Sequence, residues 1–173
     1  MQLKTVGYVG LITATLVSLG LAPGIAAEEA VLKYRGFSRT VPVEDLQSLA
    51  ETGEPPDSVA GLLNQAGRPP ADLQSLLTRE LLADPVLLDK ALNSWPGEWM
   101  LDQLGEAIYP SSGTARRQAL RSALVLSATG DDQITLLEVL QNYPTPEVVL
   151  DGDLIQDAYS RLAVFLAPLS ILL

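Results

Sequence analysis

The chain has 173 residues, 11 basic and 21 acidic side chains, no histidine and no cysteine. That length suits one domain with a core of its own. A net charge of −10 disfavours nucleic acid as a partner, and the missing imidazole and thiol remove the commonest general base, the commonest metal ligand and every disulfide.

From the N terminus, residues 1–27 have the pattern of a secretory signal peptide. Lys4 is their only charge, Val6 to Ala22 is apolar, Pro23-Gly24 breaks the run, and Ala26 and Ala27 are small residues suited to cleavage. Removal of Lys4 with this segment leaves ten basic against 21 acidic residues, a net charge of −11. An uncleaved anchor is the alternative, because the apolar run is near the shortest that spans a bilayer. Residues 28–173 are then expected to form a single helical domain that is exported to the periplasm, thylakoid lumen or extracellular space. Without cysteine it is no lipoprotein, and packing alone must hold it. Aromatics make up only 5% of the chain, so the core is aliphatic, which suits helix-on-helix packing.

Val31 to Tyr34 and Arg39 to Val41 flank Gly36 and read as a short hairpin. Val43 to Thr52 places Val43, Leu46, Leu49 and Ala50 on one helical face, with Glu44 and Asp45 in the first turn and Gly53 as the stop. Asp57 is positioned to cap a helix carrying Val59, Leu62 and Leu63 that ends at Gly67; Pro69-Pro70 opens another with Leu73, Leu76 and Leu77. Asp84-Pro85 reads as an N-cap with proline at N1, starting a helix through Asn93. Further helices are expected from about Pro96 to Tyr109 and from Ala115 to Ala128, and one capped by Asp131 or Asp132 carries Ile134, Leu137, Val139 and Leu140. Tyr143 to Pro146 breaks the chain. Val148-Val149-Leu150 reads as a short strand, Asp151-Gly152-Asp153 as a turn, and Leu154 to about Leu166 as a final helix. The expected fold class is mainly α: a single helical bundle of about six to seven helices with a short N-terminal β-hairpin.

Few residues offer chemistry. A serine triad lacks its base, and the G-x-S-x-G turn is missing. Lys90 and Ser94 have the spacing of a dyad only if their helix continues, a spacing that surface residues often share. Glu98, Asp102 and Glu106 recur every fourth residue, which more often marks a solvated acidic stripe than a proton-sharing or cation site. Asp151-Gly152-Asp153 lacks the further acids of a calcium loop. Trp95 and Trp99 lie one turn apart and are expected to pack into the core rather than form a ligand platform. Basic residues cluster at Lys33, Arg35 and Arg39 and at Arg116, Arg117 and Arg121. Ser112, Thr114, Arg116 and Arg117 precede and open a helix, where free N–H groups favour anions; they form a candidate anion or lipid-headgroup site, with ordinary salt bridges as the competing use of the arginines. Leu166, Leu169, Ile171 and Leu172 lie in an apolar C-terminal stretch that either completes the core or offers a partner surface. No residue is assigned as catalytic, cofactor-binding or metal-binding.

Five pieces occur in a telling order: Leu32 to Gly36; Val43 to Leu46 with Ala50 to Glu54; Gly97 to Gly105; Ala119 to Leu124; and Leu136 to Leu140 with Tyr143-Pro144. Together they resemble a cyanobacterial domain of unknown function over roughly residues 28–153. In that family a helical domain follows a signal peptide and usually precedes an α/β-hydrolase domain. The resemblance therefore implies a hydrolase-associated role, while this chain is expected to lack the hydrolase part, and no catalytic residue carries over. The function expected is an exported, non-catalytic interaction or regulatory module that binds a protein partner, such as a separate hydrolase. The alternatives are a carrier of lipid or a small apolar ligand, a hydrolase using carboxylates alone, and a truncated relic. No cofactor and no nucleic-acid partner are expected.

Overall fold

The computed structural model describes residues 26–170. The signal-like segment up to residue 25, and Ile171 and Leu172 of the expected partner surface, lie outside the described residues. In chain order the elements are β1 (Glu29–Tyr34), β2 (Phe37–Pro42), α1 (Val43–Thr52), α2 (Asp57–Ala66), α3 (Pro70–Thr78), β3 (Leu81–Leu82) and α4 (Pro85–Leu92). There follow α5 (Trp95–Leu104), β4 (Ile108–Pro110), α6 (Arg116–Ser127), β5 (Gln133–Ile134), α7 (Leu136–Gln141), β6 (Glu147–Asp151) and α8 (Ile155–Ser170).

The fold is mainly α but is a mixed α/β structure rather than a helical bundle with a lone hairpin. β1 pairs antiparallel with β2 and parallel with β6, and β4 closes the far edge of a four-stranded sheet of order β2-β1-β6-β4. A two-stranded hairpin is marginal in water, and β6 supplies the neighbour that β1 needs. The expected helix from Pro96 to Tyr109 stops early: α5 ends at Leu104, and Ile108 enters the sheet opposite Leu150. Pro110 is tolerated there because β4 is an edge strand. β3 and β5 form a second, small sheet in which Leu81 faces Ile134.

Most helix boundaries have local causes. Gly53 ends α1 in the left-handed region at φ 77°, its N–H donating to the Leu49 carbonyl at 2.8 Å. The Asp84 carboxylate accepts from the Leu87 N–H at 2.7 Å and caps α4. Neither Asp131 nor Asp132 caps α7. Thr135 does, with Glu138 as its reciprocal partner in a capping box, and Ile134 belongs to β5. The core is the expected aliphatic one. Leu46, Leu49, Leu77, Leu88, Leu92, Leu101, Leu120 and Leu140 are almost wholly buried, and Leu32 and Leu150 join the sheet to them.

At the C-terminal helix the two described candidates take the core-completing alternative. Leu166 is 2% exposed and belongs to the core, and Leu169 is partly buried and packs against it, while Val164 between the core-facing turns of α8 is 76% exposed. The Trp95–Trp99 expectation fails. Trp95 is 81% and Trp99 51% exposed, because Gly97, Met100, Leu101 and Leu104 occupy the inner face of α5.

Candidate functional site

The sequence-derived anion site comes together in space, but its groups are engaged elsewhere. The Ser112 and Thr114 hydroxyls bond to each other at 3.1 Å. The Arg116 guanidinium lies 4.3 Å from the Tyr109 ring centroid and donates to the Gly113 and Gly105 carbonyls at 3.3 and 3.4 Å. Arg117 grips Asp102 with two hydrogen bonds, of 2.9 and 2.6 Å, and donates to Glu98 at 3.2 Å. Those bonds hold the Asp102 carboxyl below the usual carboxylate range and Arg117 above the usual guanidinium one. Arg121 donates to the Leu92 carbonyl at 3.2 Å and stands 3.9 Å from Glu98. The acidic stripe of α5 is thus an interhelical lock with α6. Glu106 lies beyond the end of α5 and takes no part in it.

The other candidates resolve in the same manner. α4 ends at Leu92, so Lys90 and Ser94 share no continuous helix. The Ser94 hydroxyl donates to the Ala91 carbonyl at 2.6 Å and accepts from the Gly97 N–H at 3.3 Å, which makes it the cap of α5. Asp151 accepts from the Asp153 N–H, and Asp153 from the Arg35 N–H, as turn residues do. Among the described residues no group of three or more acidic side chains is placed to hold a metal ion. No helix among them is long and apolar enough to cross a membrane.

Two surface features remain. One is the Trp95–Trp99 face of α5. The other is a groove of about 600 Å3 at the carboxyl ends of the parallel strands β1 and β6, walled by α2, α3 and the start of α8. Leu32, Leu62, Leu63, Leu150 and Ile155 form its floor, and Tyr34 and Arg68 stand at its mouth. The Arg68 Nε donates to the Tyr34 hydroxyl at 3.2 Å, which raises the arginine above its ordinary value. Sequence reasoning placed these leucines in three separate elements and had no signal that joined them. Lys33, which clusters with Arg35 and Arg39 in the sequence, donates from its Nζ to the Tyr109 hydroxyl on β4 at 3.0 Å.

What fold and site define is a mainly helical α/β domain with an ion-paired interhelical seam, a groove with an apolar floor and a polar mouth, and an exposed tryptophan pair. The chain belongs to the family described as alpha/beta hydrolase of unknown function (DUF1400), whose model matches residues 26–151. That match runs through the last residue of β6 and so takes in both sheets, leaving α8 outside it. No curated protein and no solved structure matches the chain.

Proposed function

We propose that this domain is a non-catalytic interaction module of its hydrolase family that docks a protein partner through the Trp95–Trp99 face of α5. Its export behind a signal peptide, and the architecture of a helical domain that accompanies a hydrolase domain, belong to the same proposal. The observation that carries it is the exposure of the two rings, at 81% and 51%. A tryptophan presents up to about 250 Å2, so the pair leaves on the order of 300 Å2 of aromatic surface in water. Patches of that size are commonly functional, and tryptophan is the residue most enriched among binding hot spots. The face is also rigid, because Gly97 seats α5 directly on α4 and Arg117 ties it to α6. With a net charge of −10 for the whole chain, the protein favours a partner whose docking face has an apolar centre and a basic rim.

The test compares tagged full-length protein, exported in its native host and mildly cross-linked, with the Trp95→Ala/Trp99→Ala double variant. One stoichiometric protein partner is expected with the parent chain and at least about 30-fold less with the variant, the loss of a hot-spot pair. Equal recovery by both chains, or no partner with the parent, defeats the reading.

A further inference from the structure

We propose that the groove at the carboxyl ends of β1 and β6 binds a single-chain amphipathic carboxylate: an alkyl tail on the leucine floor and one carboxylate held by Arg68 and Tyr34. This inference does not depend on partner docking through α5. The groove's volume of about 600 Å3 is that of a small-molecule site. The crevice beyond the carboxyl ends of parallel strands is also where open α/β sheets bind ligands.

The floor selects the tail. Leu32, Leu62, Leu63, Leu150 and Ile155 are each 3–6% exposed and have no side-chain polar atom to offer. A ligand polar along its length would leave donors or acceptors unpaired against them, whereas an alkyl chain loses only its contact with water.

The mouth selects the head. Arg68 spends its Nε on the Tyr34 oxygen at 3.2 Å and its Nη1 on Asp72 at 3.5 Å. Its Nη2 group has no acceptor among the described residues, and neither has the Tyr34 hydroxyl proton. Two free donors joined through one hydrogen bond match the two oxygens of a carboxylate. The Arg68–Asp72 pair is about half exposed on both sides, so it is weak and yields readily to a ligand. A second guanidinium, Arg35, lies 5.2 Å from the centroid of the same Tyr34 ring, with Arg68 at 5.8 Å, and Arg35 forms no ion pair among the described residues. Two guanidinium groups around one phenol supply the donors for an anion, with Asp72 beside Arg68 and Asp153 on the Arg35 N–H as the carboxylates it must compete with.

The experiment is calorimetric titration of the purified full chain with octanoate, octylammonium and acetate. Saturable one-to-one binding is expected for octanoate alone. Arg68→Gln is expected to weaken it at least tenfold and Tyr34→Phe severalfold, both with unchanged circular dichroism, since both side chains sit at the surface of the groove. Ala66→Trp, which fills the groove, is expected to abolish it. The proposal is overturned if octanoate does not saturate, if acetate or octylammonium binds as well as octanoate, or if Arg68→Gln and Ala66→Trp leave octanoate affinity intact.

Discussion

Gly97→Ala is expected to damage this protein although the same change in a helix normally helps it. Alanine outranks glycine by about 1 kcal/mol in a helix interior. At Gly97, however, a Cβ falls 2.0 Å from the Ala91 carbonyl oxygen and 2.6 Å from the Leu92 Cα. Both atoms are backbone, so no rotamer change relieves the overlap. Ordinary carbon contacts begin near 3.5 Å, and α4 and α5 must therefore part by about 1 Å or more. Both helices are anchored through Leu88, Leu92 and Leu101, all 0% exposed, and a close-packed core resists such a shift. Overpacking costs about 1–3 kcal/mol, and a backbone collision belongs at the upper end, so after the helix gain of about 1 kcal/mol the net loss is about 2 kcal/mol. For a domain of this size that corresponds to a fall in Tm of about 4–8 °C. Urea and thermal unfolding followed by circular dichroism measure it. Gly61→Ala in α2 is the control, because its Cβ would meet only the far end of the Arg39 side chain, at 2.8 Å. Gly61→Ala is expected to be neutral or stabilising by up to about 1 kcal/mol. If Gly97→Ala melts at or above the parent, or together with Gly61→Ala, the reasoning from backbone contact is wrong.

Two further changes follow from the polar groups. Tyr143 is fully buried and its hydroxyl has no partner among the described residues, so Tyr143→Phe is expected to raise stability by about 1 kcal/mol, read as a higher urea midpoint. Burial also pushes the Tyr143 pKa up, which means that the unfolded chain ionises first as pH rises above about 10; stability is then lost with increasing alkalinity, and Tyr143→Phe should blunt that loss. Arg117→Gln removes the clasp on Asp102 and Glu98, but the groups are partly solvated, so the loss at neutral pH is expected to be small, read as a slightly lower urea midpoint, and smaller still in 1 M salt. Because Arg117 lowers the Asp102 pKa, the pair's contribution is present above the ordinary aspartate value of 3.8 and fades as pH falls below it; denaturation at pH 3 and pH 7 should show parent and variant converging in acid.

The helices were legible because their causes are local. Val43, Leu46 and Leu49 share a face through spacing alone, Gly53 stops α1 by its own backbone freedom, and Asp84 caps α4 three residues away. The hairpin and the strand at Val148–Leu150 were legible too, but their joining into one sheet was not, nor were β4 and β5, which are three and two residues long and carry no period of their own. Ile108 continues a helical pattern until Leu150 is brought beside it, and β1 acquires its parallel neighbour more than a hundred residues later in the chain. The arginines show the same division: their position before and within α6 suggested an anion, and only the packing of α5 against α6 delivered Glu98 and Asp102 to Arg117.

Composition, charge, the absence of histidine and cysteine, and the placing of most helices were determined by the sequence by itself, because each depends on residues a few positions apart or on a simple count. Which face of α5 meets water, which leucines of α2, β1 and β6 enclose a groove, and that Tyr34 stands beside Arg68 at its mouth were decided only by the tertiary structure. Those facts are properties of surfaces brought together from distant segments, and periodicity along one segment carries no record of what another will bury.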